Sequence, residues 1–354
     1  MIYINGRFLT QQITGVQRFA LEISKGLELL HSDMVFLVPD LNALIDENYK
    51  SIFNIKEIKG GGGHYWEQVT LPLFLKKNNN PVLINLCNTA PVLYKNQIVT
   101  HHDVTYIRYP QSFPFKFRVL YRLLTPLALR NARKVITVSE FSKKEICSVY
   151  KVNSEKVYVI HNAVSSIFTS ITPSRDQVNE RPYLLAVSSQ NYHKNFQGLI
   201  EAFIATDLKV QLKIIGHKNS IFSNIDISPT DERVIFLGRV DDKSLTALYQ
   251  NARGFVFPSL YEGFGIPPLE AQACGCPVAS SDRASMLEVL ANSVIYFDPE
   301  NKVQISNALR SLVEDYEIRQ QLVIQGYNNV KRFSWNDSAK LVDDLVKIVC
   351  NEIK

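Results

Sequence analysis

Pro258-Ser259-Leu260-Tyr261-Glu262-Gly263-Phe264-Gly265-Ile266-Pro267-Pro268-Leu269-Glu270-Ala271 is the stretch of this 354-residue chain whose reading decides the fold class. The apolar run Gly254–Phe257 leads into it and reads as a strand buried on both faces. A glycine-containing loop follows, and then a helix whose first turn suits Pro267 or Pro268. Glycines let backbone N–H groups come close to a ligand, and the helix start adds orphan N–H groups at a positive dipole end, together a seat for phosphate. Glu262 and Glu270 flank the loop. A carboxylate accepts from two sugar hydroxyls at once, which suits ribose or hexose recognition. Glu270 is equally readable as an acid favoured by the dipole of a first helical turn.

Working outward, short apolar runs recur with helix-length segments between them. They are Ile2–Ile4, Val35–Val38, Val82–Leu86, Ile98–Thr100, Val135–Val138 and Val157–Ile160, then Tyr183–Val187, Val210–Ile215, Val234–Leu237, Gly254–Phe257, Pro277–Ala279 and Val294–Phe297. Val16, Phe19, Ala20, Ile23, Leu27 and Leu30 make one helical stripe, and Phe196, Leu199, Ile200 and Phe203 another, with Asn195 placed to cap the second. Strand–helix alternation of this kind predicts two doubly wound α/β domains with parallel sheets. The polar seam at 166–181 separates them, giving domains at 1–165 and 178–332. Residues 333–354 form a closing helix with Leu341, Val342, Leu345, Val346 and Val349 on its apolar face. Two such domains are expected to face each other across a cleft, with ligands at the carboxyl ends of the strands.

Composition narrows the classes. Hydrophobic residues are 46% and charged residues 21%, the profile of a globular chain rather than a disordered one. No stretch approaches the ~18 apolar residues of a membrane span, and the first residues lack the pattern of a signal peptide. Five cysteines at no zinc or redox spacing point to a reduced, cytoplasmic setting. Cys274-Gly275-Cys276 reads as small buried residues in a tight segment. The net charge of +5 is uneven: residues 1–165 hold 20 Lys+Arg against 12 Asp+Glu, and residues 166–354 hold 19 against 22. A basic first half and a mildly acidic second half suggest that the first meets an acidic partner or surface.

Several motifs are missing. There is no G-x-G-x-x-G and no Walker A sequence, which argues against a usual dinucleotide dehydrogenase and a P-loop NTPase. No D-x-D pair is present to hold a divalent ion on a nucleotide sugar, so no metal is expected. The Gly60–Gly63 run reads as a flexible turn rather than a phosphate cradle.

The Glu262–Glu270 stretch resembles the E-x7-E motif of retaining glycosyltransferases of family 4, whose fold is GT-B. Similar residues in the same order extend the resemblance over nearly the whole chain: Gly15-Val16-Gln17-Arg18, Trp66-Glu67-Gln68 with Leu71-Pro72, His101-His102-Asp103, Val138-Ser139-Glu140-Phe141-Ser142, His161-Asn162, Lys194-Asn195 and Phe333-Ser334-Trp335. The resemblance implies that the closing helix returns to the first domain. It also implies roles. Glu270 would bind the donor's ribose, Glu262 would sit at the donor sugar, and backbone at Gly263, Phe264, Gly265 and Ile266 would lie near sugar and phosphate. Lys194 would neutralise the diphosphate, with Gly15 and Arg18 approaching it from the first domain. Ser189 and Arg239 would complete the donor pocket, Arg239 near the base. His102 would line the cleft at the reacting sugar. Glu262, His102 and Lys194 are the catalytic candidates. The family's usual arginine a few residues before the lysine is absent here, the segment reading Ser188-Ser189-Gln190-Asn191-Tyr192-His193.

The implied chemistry is metal-independent, cofactor-free transfer of a hexose from a nucleotide-diphosphate sugar, by attack on the face the leaving group departs from. The acceptor is expected to be a lipid-linked oligosaccharide of a surface polysaccharide such as O-antigen, and mannose from GDP-mannose is the favoured donor, because His102 could bond a 6-hydroxyl that rhamnose lacks. dTDP-rhamnose or a UDP-sugar, a GT-B sugar-nucleotide epimerase and a non-catalytic binding module are the alternatives. From Val104 to Ser139 the chain carries seven cations and no acid, interleaved with aromatics. Arg108, Lys116, Arg118 and Arg122 there are candidates for contact with an anionic membrane surface such as the inner face of the cell membrane, or else form the solvated face of a core helix. No nucleic-acid module is present.

Overall fold

The computed structural model describes residues 2–31, 33–169, 181–187, 191–216 and 231–352. The chain divides into two compact units. The first comprises Met1–Val104, Phe115–Asn162 and Ser334–Lys354; the second comprises Thr105–Pro114 and Ala163–Phe333. Segment 105–114, inside the first domain on the sequence reading, thus groups with the second unit.

In the first unit, β1 (Ile2–Asn5), β2 (Met34–Val38), β3 (Ile55–Glu57), β4 (Val82–Asn85), β5 (Gln97–Thr100), β6 (Lys134–Thr137) and β7 (Val157–Val159) form one sheet, ordered β3-β2-β1-β4-β5-β6-β7 among the described residues. Every pairing is parallel; Ile2 of β1 lies opposite Met34 on one side and Val82 on the other. β1, β2, β4 and β5 are buried along their whole length, which is why the sequence shows apolar runs there rather than alternation, with Asn5, Asn85, Gln97 and Thr100 as polar ends. β3 was not anticipated. Its three residues, Ile55-Lys56-Glu57, are only partly covered and carry two charges, so neither an apolar run nor an alternation marks them.

In the second unit, β8 (Tyr183–Val187), β9 (Gln211–Ile215), β10 (Val234–Gly238), β11 (Gly254–Phe257), β12 (Val278–Ser281) and β13 (Ile295–Phe297) pair in parallel in the order β10-β9-β8-β11-β12-β13. Each sheet therefore has one place where the strand order reverses: between β1 and β4 in the first, and between β8 and β11 in the second. Crossovers leave in opposite directions there, and a crevice opens beyond the carboxyl ends of those two strands.

Of the helices, α1 is Gly15–Leu30, α2 Phe115–Asn131, α3 Glu140–Tyr150, α4 Phe196–Ile204, α5 Asp242–Asn251, α6 Ile266–Ala273, α7 Lys302–Glu314, α8 Tyr316–Val330 and α9 Trp335–Asn351. α4 and α7 cover one face of the second sheet, where Leu199, Ile200, Phe203, Ile305, Leu309 and Leu312 pack with Leu184, Leu212, Val256 and Phe297. Each such fully buried side chain contributes about 1.5–3 kcal/mol.

The closing helix α9 packs on α1 of the first unit. Ser334 caps it, its Oγ accepting from the Asp337 N–H. Ala339, Val342, Leu345, Val346 and Val349 are buried, whereas Leu341 is 52% exposed and lies off the face predicted to hold it. The two helices meet closely at Gly26, where a Cβ would stand 2.4 Å from that of Ala339. Trp335 packs edge-on to Phe19, Ser338 Oγ donates to the His161 carbonyl (2.7 Å), and His31 pairs with Asp343. No helix among the described residues is long and apolar enough to cross a membrane.

Candidate functional site

The second sheet's reversal point organises the charged candidates. Lys194 ends a short turn (Tyr192–Lys194) that follows β8, and Glu262 lies five residues beyond β11. The two meet: Lys194 Nζ donates to Glu262 Oε1 at 2.6 Å, with side chains 17% and 14% exposed. Ser285 Oγ donates to the Glu262 carbonyl at 3.0 Å, and the Leu260 N–H donates to the His193 carbonyl at 2.7 Å, tying the two loops together. Gly265 turns the chain into α6 with φ +89°, a left-handed conformation that favours glycine, and Pro residues occupy the first helical positions. A Cβ on Gly265 would lie 2.4 Å from Met286 Cε, so this turn admits no side chain without repacking.

Asn195 does not cap α4 as predicted. Its backbone is left-handed (φ +54°) and its Nδ2 donates instead to the Pro299 carbonyl at 2.7 Å. The asparagine thus serves as a conformational hinge that presents Lys194, since Asn tolerates the left-handed region better than most residues.

Glu270 is 7% exposed on α6. Tyr249 Oη donates toward its Oε2 at 3.5 Å, and burial, reinforced by Glu270, pushes the Tyr249 phenol well above its ordinary range. Cys274 and Cys276 are buried beyond the helix around Gly275 (φ +73°), and burial pushes the Cys274 thiol up to about 12. Gly263 and Phe264 lie in the α6 loop and Ile266 opens the helix; the Phe264 ring stands edge-on to Phe333. Arg239 is exposed just after β10, where Gly238 takes φ +72°. Ser189 falls outside the described residues.

Sequence reasoning missed what grips the Lys194–Glu262 pair. Tyr109, Ser112 and Phe113, from segment 105–114, surround the residues next to each partner. Ser112 Oγ lies 2.9 Å from His193 Nδ1 and accepts from the His193 N–H at 3.4 Å. The Phe113 ring lies parallel to His193 at 6.2 Å, and Tyr109 packs on both His193 and Tyr261. Such aromatic contacts contribute about 0.5–1.5 kcal/mol each. No local pattern could have announced them, because their partners lie 80 residues and more along the chain.

In the first unit, Gly15 opens α1, exposed behind Thr14, and Arg18 is one turn in. His102 is 6% exposed, edge-on to Phe19 at 5.0 Å, with its N–H donating to Asn88 Oδ1 at 2.8 Å and its Nε2 3.4 Å from the Leu86 carbonyl. His101 is buried beside it, 3.4 Å from Tyr150 Oη. Burial pushes both imidazoles down to about 4, against the opposing pull of Asp103, so both are neutral at physiological pH. Since the unfolded histidines titrate near 6.5, the unfolded chain binds more protons between that value and about 4. Stability is expected to be full above pH 6.5 and to fall as pH drops toward 4; a urea midpoint unchanged from pH 7 to 4.5 would contradict this assignment.

The basic candidates divide. Arg108 is exposed in segment 105–114 of the second unit, while Lys116, Arg118 and Arg122 are on α2 of the first. α2 buries only Thr125, Ala128 and Leu129. Phe115, Val119, Leu120, Leu123 and Leu127 are exposed alongside Lys116 and Arg122, so the outer side of this helix is apolar as well as basic.

Comparison with known proteins bears on these features. The family model described as Glycosyltransferase Family 4 matches residues 13–166, and that described as Glycosyl transferases group 1 matches 169–329. The O-antigen chain mannosyltransferase RfbU of Salmonella typhimurium is 31% identical over 283 residues, 78% of this chain and 76% of that protein. The O-antigen chain mannosyltransferase B of Escherichia coli is 28% identical over 70% of this chain and 69% of its own length. Among solved structures, HepE from Anabaena, crystallised with UDP and glucose, superposes with a TM-score of 0.76 at 16% identity, covering 98% of each chain.

Proposed function

This chain belongs to glycosyltransferase family 4, with two Rossmann-like domains of the GT-B class, and we propose that the enzyme moves a mannosyl residue from GDP-mannose to a lipid-linked O-antigen oligosaccharide, with retention of configuration and without a metal. The observation that carries the reading is the Lys194–Glu262 pair at the reversal point of the second sheet. The choice of mannose follows the names of the two O-antigen relatives.

The pair suits an exchange. A diphosphate arriving at the α6 N-terminus competes for Lys194 Nζ, and the carboxylate of Glu262 is released to accept hydroxyls of the sugar. Cleavage of the bond between C1 and the phosphate oxygen builds charge on the leaving diphosphate, which Lys194, the backbone N–H groups of Gly263 to Ile266 and the helix dipole stabilise. The acceptor hydroxyl attacks C1 from the same face, and its proton passes to the departing phosphate oxygen. Glu270 binds the ribose, with Arg239 near the base; Ser189 is assigned to the same pocket. Gly15 and Arg18 approach the diphosphate, and neutral His102 holds a hydroxyl of the reacting sugar.

α2 supports the acceptor side of the reading. An exposed apolar row with lysine and arginine beside it suits the interface of an anionic membrane. Arg108, in the second unit, is a further basic candidate, and the proposed location is the inner face of the cell membrane.

Thermal-shift measurements against GDP-mannose, dTDP-rhamnose and UDP-sugars test the donor. A ligand at 100 times its Kd adds about 2.7 kcal/mol of apparent stability, so GDP-mannose is expected to give the largest rise. A larger rise with dTDP-rhamnose or a UDP-sugar would overturn the donor, and conversion of donor alone to an epimer would overturn transfer.

A further inference from the structure

The connection between β5 and α2 runs over residues 101–114, well beyond the ~2–6 residues usual between a strand and the next helix. Its second part, 105–114, is a small scaffold of its own. Thr105–Arg108 is one helical turn, closed by the Tyr109 N–H donating to the Thr105 carbonyl at 2.7 Å. Pro110–Ser112 is a second turn, closed by the Phe113 N–H donating to the Pro110 carbonyl at 3.2 Å, and the proline fixes the φ that opens it. Thr105 and Tyr106 are buried, and Tyr106 stands edge-on to Phe113 at 6.5 Å. Ser112 is thus placed by short-range bonds within its own segment.

What Ser112 touches is His193, the residue before Lys194. One hydroxyl can serve both of the bonds formed there: its lone pair accepts from the His193 N–H, and its O–H donates to Nδ1, with the ring proton on Nε2. The His193 carbonyl accepts from the Leu260 N–H, and the imidazole is buried beside Phe113 and Tyr109. Both main-chain groups of His193 and its ring are therefore held by segments far away in sequence.

Lys194 needs such a hold. It is presented by a single three-residue turn, closed by the Lys194 N–H on the Asn191 carbonyl (2.9 Å) and the Asn195 N–H on the Tyr192 carbonyl (3.0 Å). A turn this short fixes little by itself, so its place depends on ties to other segments. Asn195 supplies one through the Pro299 carbonyl, and His193 supplies another through Leu260 and Ser112. The ammonium lies at the end of a flexible four-carbon stem. A small main-chain rotation at His193 is enough to move it beyond the ~0.5 Å that a preorganised charge tolerates.

We propose that Ser112 is a positioning residue for the donor site: through His193 it fixes the turn that carries Lys194, and so sets where the ammonium meets the diphosphate. This role rests on the transferase reading, with Lys194 as the cation of the donor site, but not on the identity of the base or the sugar.

The probes are GDP, UDP and dTDP, titrated calorimetrically into the full chain, and the tightest binder is carried into the variants. Ser112→Ala is expected to weaken it about fivefold, the weight of one hydrogen bond, with the melting temperature of the free protein little changed. Ser112→Thr keeps the hydroxyl and is expected to bind within about twofold of wild type. Lys194→Met removes the group through which Ser112 acts, so adding Ser112→Ala to it should cost less than about a further twofold. Ser112→Ala binding as tightly as wild type, or losing the same fivefold in the Lys194→Met background, would overturn the role of Ser112 and leave Lys194 where it stands. A Ser112→Ala chain that fails to fold would overturn it as well, since the serine would then be holding the fold rather than the lysine. A wild-type chain that binds none of the three nucleotides would instead overturn the donor reading, and the role of Ser112 with it.

Discussion

Lys194→Met lowers sugar transfer about 10²–10³-fold, the loss expected when one preorganised group facing the developing charge is removed. The turn presenting it carries Tyr192 and His193 beside it and no arginine. The fold should survive, because Glu262 retains access to water and its main chain remains tied by Ser285. The measurement is kcat at saturating donor and acceptor, alongside the melting temperature. Lys194→Arg, which keeps the charge at a different reach, should recover part of the loss. Turnover of Lys194→Met within threefold of wild type at an unchanged melting temperature would remove Lys194 from the mechanism.

Glu262→Ala abolishes measurable transfer without unfolding the protein, and Glu262→Gln falls nearly as far. On the proposed mechanism the carboxylate both pairs with Lys194 and accepts hydroxyls of the donor sugar, and alanine does neither. Because the two side chains touch at 2.6 Å, their losses should not add. The double variant Lys194→Met/Glu262→Gln is expected to be no slower than the worse single variant within about threefold. Near-wild-type turnover of Glu262→Ala would sink the assignment, and fully additive losses would mean that the two residues act separately.

The sequence disclosed most of the architecture because parallel strands covered on both faces leave continuous apolar runs. Val35–Val38 and Tyr183–Val187 could be read almost to the residue. β3 escaped because an edge strand of three residues has too little covered surface to imprint a pattern. The Glu262–Glu270 loop was legible for a similar reason: strand, glycine turn and proline-started helix are local, each set by neighbouring residues. The grip of Tyr109, Ser112 and Phe113 on the flanks of the pair was not, since it depends on where two distant segments of chain arrive. Asn195 shows the limit from the other side. Its position before α4 is the ordinary place for a cap, and only a partner at Pro299, 104 residues on, diverts it.

The assignment of chain to units has a consequence for gene engineering. The polypeptide passes between units at 104/105, 114/115, 162/163 and 333/334, so neither unit is a single interval of the gene. A truncation at the seam near residue 165 would strip α9 from α1, uncovering Phe19 and the Gly26 notch that Ala339 fills, and would also retain the orphaned strip that belongs with His193 and Tyr261. Shuffling donor specificity between relatives therefore requires transplanting 105–114 together with 163–333 as one cassette, leaving the terminal helix with its original host.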